Sequence, residues 1–200
     1  MENKVIAIVG SYRKGGITDQ AIDAILESAR QKGKKTEKIY LTEKRIEFCA
    51  NCRFCAKDDP KKIRGKCVFT DDMDDILTKI ESADSLVMGA PTNFGGVTAI
   101  MKRFVERLIA YAYWPWDKLS PELRIKEHKK KAILLTSTAC PALIARFLMP
   151  CPIKTLKTAA GAMGAKPVRI LHLGSVCFSE KQKLDDKQLR MARDASALLA

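Results

Sequence analysis

With 200 residues, 46% of them hydrophobic, the chain is long enough to bury one domain core and short for two. Its 36 Lys plus Arg against 23 Asp plus Glu give a formal net charge of +13, which favours acidic partners (nucleotide cofactors, nucleic acid or an anionic membrane surface) and equally describes a solvated basic surface. A secreted or membrane-spanning protein is excluded as an expectation: Met1 to Lys4 pass straight into a strand without a signal peptide, and Ala132 to Ile153 is broken by Thr136, Ser137, Thr138, Pro141, Arg146 and Pro150, so the protein is read as soluble and cytoplasmic with no membrane partner.

Val5 to Val9 is a continuous apolar run, read as a buried parallel strand. It opens into a turn, Gly10 to Thr18, and then Ile22, Ile25, Leu26 and Ala29 recur at helical spacing to a stop near Gly33. A helix start carries unpaired N–H groups and the positive end of the dipole, so this turn reads as an anion cradle. Gly15 and Gly16 let the backbone approach closely, Ser11 and Thr18 add hydroxyls, and Arg13 adds a guanidinium fork. A Walker loop is excluded because no lysine stands between glycine and hydroxyl. A dinucleotide fingerprint is excluded because Tyr12 occupies its middle glycine position. The cradle therefore suits one terminal phosphate better than a pyrophosphate.

Thr36 to Leu41 is a short polar strand suited to a sheet edge. The loop from Phe48 to Val68 places Cys49, Cys52 and Cys55 at two-residue spacing, with Cys67 after an eleven-residue gap from Ala56 to Lys66. Seven cysteines, an odd number with four crowded together, do not resemble a secreted disulfide framework. Three such thiols can hold three corners of one metal centre with Cys67 as the fourth ligand; iron–sulfur sites favour triplets, whereas zinc takes separated pairs. The alternative is four reduced thiols. Cys140, Cys151 and Cys177 lack ligand spacing and read as ordinary buried thiols.

The carboxylates of Asp71, Asp72, Asp74 and Asp75 suit the first turn of a helix running to about Ala83. Ser85 to Gly89 is the third strand, and it runs into the loop from Ala90 to Val97. Ile100, Met101, Phe104, Val105, Leu108 and Ile109 share one face of the next helix. A polar, aromatic excursion spans Tyr111 to Lys131 and carries Tyr113, Trp114 and Trp116. Ala132 to Leu135 is a fourth strand entering Thr136 to Ala139; a helical stretch then stops at Gly164 with Pro167 beyond, and Val168 to Gly174 is the fifth strand. Ser179 and Gln182 have the spacing of a capping box that opens a terminal helix. His128 and His172 read as structural or surface residues.

Five alternations of strand and helix predict an α/β fold with a doubly wound parallel sheet of order 2-1-3-4-5 and helices on both faces, in one domain over residues 1–200. In such a sheet ligands bind at the switch point between strands 1 and 3, where the loops from Gly10 to Thr18 and from Pro91 to Val97 emerge.

Five motifs occur in order: Gly-Ser-x-Arg-x-x-Gly-x-Thr from Gly10 to Thr18, the triplet at Cys49, Cys52 and Cys55, Gly-x-Cys-x3-Asp-Asp-Met from Gly65 to Met73, Ala-Pro-Thr-Asn-Phe from Ala90 to Phe94, and Lys-x-Phe-x-x-Arg from Lys102 to Arg107. Together they resemble the NADPH-dependent FMN reductase family of flavodoxin-like proteins, near its iron-sulfur flavoprotein branch. The resemblance implies that Ser11, Arg13, Ile17 and Thr18 hold the FMN phosphate with Gly16 in the same turn. It implies that Pro91, Thr92, Asn93, Phe94 and Gly95 line the isoalloxazine, and that Ser137, Thr138 and Ala139 complete the pocket. The flavin would carry the chemistry without a catalytic side chain, taking hydride from NADPH or NADH and passing it to a small-molecule acceptor such as flavin, quinone, nitroaromatic or metal ion. The resemblance further implies a homo-oligomer, dimer or tetramer, with the aromatic excursion contributing contact surface and a substrate wall. Cys49, Cys52, Cys55 and Cys67 would correspond to the ligands of a 4Fe-4S cluster, although the last gap in the iron-sulfur flavoproteins is shorter. An FMN electron carrier, with or without a cluster, is the alternative activity. A nucleic-acid partner rests on charge alone, with no helix-turn-helix, zinc finger or aromatic RNA-binding motif behind it.

Overall fold

Five strands lie parallel in one sheet: β1 (Lys4–Val9), β2 (Lys35–Tyr40), β3 (Ser85–Pro91), and then, beyond a small hairpin of β4 (Ala112–Tyr113) and β5 (Glu122–Leu123), β6 (Lys130–Ser137) and β7 (Ala165–Leu173). Their spatial order is β2-β1-β3-β6-β7, which is the expected 2-1-3-4-5 when only sheet strands are counted. The computed structural model describes residues 3–199; Met1 and Glu2, on which the expectation of a missing leader partly rests, lie outside them, as does Ala200.

Successive side chains on a strand face opposite ways, and the core divides accordingly. Ile6, Ile8, Met88 and Leu134 point to the face covered by α2 (Met73–Glu81), α3 (Ala99–Arg107) and α5 (Cys151–Ala162). Val5, Ala7, Val9, Val87, Ile133 and Leu135 point to the face covered by α1 (Ile17–Gln31) and α6 (Asp186–Ala195). Among the described residues no helix is long and apolar enough to cross a membrane.

Four local expectations need correction. The helical stretch before Gly164 is two helices, α4 (Ala142–Leu148) and α5. Pro150 drives Met149 out of the helical region, to φ −127° and ψ 57°, and so separates them. The fifth sheet strand starts at Ala165 and contains Pro167. An edge strand tolerates the missing N–H, and the register slips opposite Ala132 and Ile133. The terminal helix opens on a capping box three residues apart as expected, but the pair is Asp185 and Gln188. The Gln188 N–H donates to Asp185 Oδ1 at 2.7 Å. Ser179 and Gln182 belong to the preceding loop. Finally, Leu108 to Tyr111 tighten into a 3-10 turn beyond α3, and Asp71 precedes α2, whose N-cap is Asp72.

Candidate functional site

The loops that leave the carboxyl ends of β1, β3, β6 and β7 enclose a cleft of about 730 Å³, large enough for a mononucleotide-sized ligand. Eleven of the thirteen residues expected to contact a flavin line it: Ser11, Arg13, Gly16, Ile17, Thr18, Pro91, Thr92, Asn93, Ser137, Thr138 and Ala139. Phe94 and Gly95 stand outside the lining. Phe94 is wholly exposed, and both residues adopt positive φ (47° and 78°) in a tight turn closed by the Asn93–Gly96 pair. A phenylalanine held in the left-handed region is strained, a cost found where a loop is shaped for a ligand.

At the base of the cleft, α1 begins at Gly16 with no side-chain cap. Its first-turn N–H groups are therefore directed at whatever occupies the turn. Ser11 Oγ accepts from the Arg13 N–H at 3.2 Å and fixes the turn's first bend; Gly15, at φ 74°, makes the second. The Gly15 N–H is turned away to Asp19 Oδ2 at 2.7 Å. The Arg13 guanidinium has no ion pair among the described residues. Thr18 and Ser137 share a buried hydroxyl contact at 2.8 Å that ties the start of α1 to the end of β6, while Thr92 N–H donates to Ser137 O at 2.7 Å. The cradle is thus built on three strands at once.

Asp19 is a carboxylate, 3% exposed, in the same first turn, where it would repel an anion were it not compensated. Lys38 Nζ sits 2.9 Å from Asp19 Oδ1, and Tyr40 OH donates to Oδ2 at 3.1 Å. Burial opposes the charge on Lys38, but its bonds to Asp23, Tyr40 and Asp19 outweigh burial and raise its pKa above the ordinary lysine value. Asp19 therefore works as a brace for the glycine turn, with its charge answered from β2.

The cleft also uses residues that sequence reasoning did not assign. Thr98 caps α3, and its hydroxyl donates to Gly10 O at 2.6 Å; Tyr12 OH accepts from the Ile100 N–H at 3.1 Å. Both are legible only as a polar residue before a helix and an odd aromatic in a turn. Val176, Cys177, Ser179, Glu180 and Gln182 come from the loop after β7, whose Ser179-to-Gln182 spacing imitates a helix cap.

The four clustered cysteines meet around a second, small cavity of about 20 Å³, room for roughly one water. Arg53, Phe69 and Arg107 also line it. Burial, and after it the neighbouring Cys67, Cys49 and Cys52, push the Cys55 thiol up to about 11. Among the described residues no group of three or more His, Cys, Asp or Glu is arranged to hold a metal ion. The eleven-residue gap is folded rather than slack: Asp58 accepts from Lys62 Nζ and from the Asp59 and Lys66 N–H groups, which hold its carboxyl at about 2. The aromatic excursion clasps this loop. Trp114 N–H donates to Ala56 O at 2.7 Å, Arg124 Nη2 donates to Cys55 O at 3.2 Å, and the Arg53 guanidinium lies 3.6 Å from the centre of the Trp114 ring. Of the other cysteines, Cys140 is half-buried and Cys151 and Cys177 are exposed, which corrects the expectation of buried thiols; all three lie at helix starts or in loops at the sheet's carboxyl end. His172 is half-buried, and burial, then Arg146 and Lys157, lower its pKa.

A family model described as NADPH-dependent FMN reductase matches residues 3–143. An iron-sulfur flavoprotein of Archaeoglobus fulgidus is 33% identical over 112 residues, 56% of this chain and 48% of that protein. An iron-sulfur flavoprotein of Methanocaldococcus jannaschii is 38% identical over 104 residues, 52% of this chain and 51% of that protein. The chain spans about half the length of the curated relatives it matches. Among solved structures, an azoreductase superposes with a TM-score of 0.71 at 14% identity, covering 98% of this chain and 100% of its own. An FMN-dependent NADH-azoreductase of Bacillus anthracis in complex with FMN gives 0.71 at 11% identity, covering 98% of this chain and 99% of its own. At such identities these likenesses show the flavodoxin-like fold.

Proposed function

Because the chain belongs to the NADPH-dependent FMN reductase family, we propose that the cleft at the carboxyl ends of β1, β3 and β6 binds FMN and that the protein is a flavin-dependent NAD(P)H oxidoreductase acting on small-molecule acceptors. The carrying observation is the uncapped start of α1 beside Arg13, which has no ion pair among the described residues, both lining a cleft of mononucleotide size. Ser11, Arg13, Gly16, Ile17 and Thr18 hold the phosphate, and Pro91, Thr92, Asn93, Ser137, Thr138 and Ala139 wall the ring. Bound there, the flavin supplies the acceptance of hydride from reduced nicotinamide and its release to an acceptor. The protein's own work is to fix the phosphate, offer backbone groups to the ring edge and leave one ring face open. Steady-state oxidation of NADPH and of NADH with a small quinone tests the reading; turnover without a protein partner is the expected result.

Arg13→Ala is expected to weaken FMN binding roughly tenfold to a hundredfold, the worth of one charge-assisted hydrogen bond, measured by quenching of flavin fluorescence on titration of the apoprotein. Unchanged affinity would remove the arginine from the site.

A second reading is favoured by one observation, the four thiols around a shared cavity. Here Cys49, Cys52, Cys55 and Cys67 take a 4Fe-4S cluster and the protein passes single electrons to protein partners. A cluster uses one thiolate per iron, so its ligands stand wider apart than those of a single ion, and the loop has to open to admit it. Iron analysis and the visible spectrum of anaerobically purified protein decide: yellow protein without iron eliminates the cluster. We also propose a homo-oligomer, dimer or tetramer, supported by exposed apolar side chains on loops and helices leaving the same end of the sheet, Phe94, Leu143, Phe147 and Leu148, and by the exposed Trp116. Trp114→Ala with Trp116→Ala is expected to lower the sedimentation coefficient; an unchanged value takes the excursion out of the contact.

A further inference from the structure

We propose that a second cleft, beyond the phosphate cradle, takes the adenylate half of a flavin dinucleotide, so that the protein accepts FAD as well as FMN. The inference rests on the flavin reading above and extends it to a site of its own. This cleft, of about 850 Å³, lies against the outer side of the first turn of α1 and is lined by Arg13, Lys14, Gln20, Glu180, Lys181 and Lys183 together with the two glycines of the turn. It shares Arg13, Gly16 and Glu180 with the flavin cleft, and none of the residues after β3 and β6 that wall the ring. The two spaces therefore adjoin across these three residues, at the end of the flavin cleft where the proposed reading places the phosphate.

The charge of this cleft is uncommitted. Lys14 is paired with Glu43, but Arg13, Lys181 and Lys183 have no ion pair among the described residues, and Glu180 is the one carboxylate lining the cleft. Exposed lysines alone would be a solvated surface. These two are carried by a segment fastened to the cradle itself: the Gln20 side chain donates to Gly15 O at 2.7 Å and to Gln182 O at 3.0 Å, and accepts from the Leu184 N–H at 3.0 Å. Gln182 in turn donates to Ser175 O at 3.0 Å and accepts from the Phe178 N–H at 3.2 Å. One glutamine thus sets the height of Lys181 and Lys183 over the glycine turn, and the lysines flank the residue it grips.

An anion in this space, next to a phosphate in the cradle, is what extending the flavin's phosphate would place there. The cradle keeps the first phosphate, and the second lies among Arg13, Lys181 and Lys183, which removes the need for a pyrophosphate fingerprint in the turn. The volume lies within the range of small-ligand sites and accommodates an adenosine monophosphate unit. The adenosine phosphates of a folded nicotinamide dinucleotide have the same chemistry and are the competing source.

The test titrates apoprotein with FMN and, separately, with FAD, following flavin fluorescence, for the unaltered chain and for Lys181→Ala with Lys183→Ala. FAD is expected to bind the unaltered chain within about tenfold of FMN, and the double variant is expected to weaken FAD roughly five- to tenfold while leaving FMN within about twofold, which also shows that the variant is folded. FAD binding more than about a hundredfold weaker than FMN, or a variant that affects both flavins equally or neither, overturns the inference. So does a variant that spares FAD and instead weakens 2′,5′-ADP binding to FMN-loaded protein, since the cleft would then serve the nicotinamide dinucleotide. If FMN itself fails to bind the unaltered chain, the flavin reading falls and this inference with it.

Discussion

Arg107→Met is expected to lower the free energy of unfolding by about 3–5 kcal/mol, the cost of stranding a buried charge. Arg107 and Asp71 side chains are 2% and 1% exposed, and the pair is bidentate: Nη1 to Oδ2 at 2.6 Å and Nη2 to Oδ1 at 3.2 Å. The carboxylate's remaining lone pairs accept from the Glu47 N–H at 2.8 Å and the Met73 N–H at 3.1 Å, and Nη1 also donates to Glu47 O at 2.9 Å. Both carboxylate oxygens and both terminal guanidinium nitrogens are thus committed, and removing the cation leaves a buried carboxylate without its counter-charge. Arg107→Met combined with Asp71→Leu should recover much of the loss, because neither desolvated charge then remains. Urea midpoints of the three proteins check this; a single variant as stable as the parent would mean that the pair is better hydrated than its burial indicates.

The same pair fixes the sign of a pH effect. Burial opposes ionisation of Asp71, but Arg107 and the two backbone donors outweigh it and hold the carboxyl below its ordinary value. A depressed acid contributes stability above its unfolded pKa, about 4, and that contribution is lost as pH falls toward the folded value. The parent should therefore lose stability below about pH 4 more steeply than the double variant.

The second large effect is expected from Gly65→Ala. A Cβ on Gly65 would stand 1.8 Å from Cys55 O and 2.7 Å from Cys55 C, both backbone atoms that no rotamer change can move. The chain passes this closely because the Gly65 N–H donates to Ala110 O at 2.8 Å, which seats the end of the cysteine loop beside the turn after α3. The methyl group must therefore push the two halves of the loop apart, at a cost of about 1–3 kcal/mol or more. Cys55 is 6% exposed in the parent and should alkylate slowly. In the variant its alkylation by iodoacetamide should accelerate about tenfold or more, while FMN affinity stays within about twofold, since Gly65 lines neither cleft. An unaltered alkylation rate would show that the loop does not depend on this contact.

The architecture was legible in the sequence because it rests on periodicity. The all-apolar runs of β1 and β3 announce strands covered on both sides, and two loops of unusual composition leave them at the point where the winding reverses. The glycine turn after β1 was legible for a similar local reason: glycines, hydroxyls and a guanidinium adjoin one another in the chain. What escaped is non-local. Nothing near Asp19 in sequence announces Lys38, and the Asp71 that suits a helix start, and accepts from the Met73 N–H there, is also claimed by Arg107, 36 residues away. The capping-box error has a plain cause: Ser179 with Gln182 and Asp185 with Gln188 have the same spacing, and only the tertiary contacts of Gln182 with Ser175 and of Gln20 with Gln182 decide which pair starts a helix. Thr98 went unassigned because its partner, Gly10 O, is 88 positions distant.

Helix α3 joins the cleft at the carboxyl end of the sheet to the cysteine loop. Its first residues are locked to the glycine turn after β1 by Thr98 and Tyr12, and its last, Arg107, is locked to the start of the cysteine loop through Asp71 and Glu47. Nine residues of α-helix make a strut about 13 Å long. Such a strut transmits rotation as faithfully as length. Inserting one residue anywhere along it would swing the guanidinium by about 100° and leave Asp71 facing the wrong side of the rod. The two loops are thus indexed to each other through helical phase: each can vary in composition, but neither can change its distance or bearing from the other without a compensating whole turn between them.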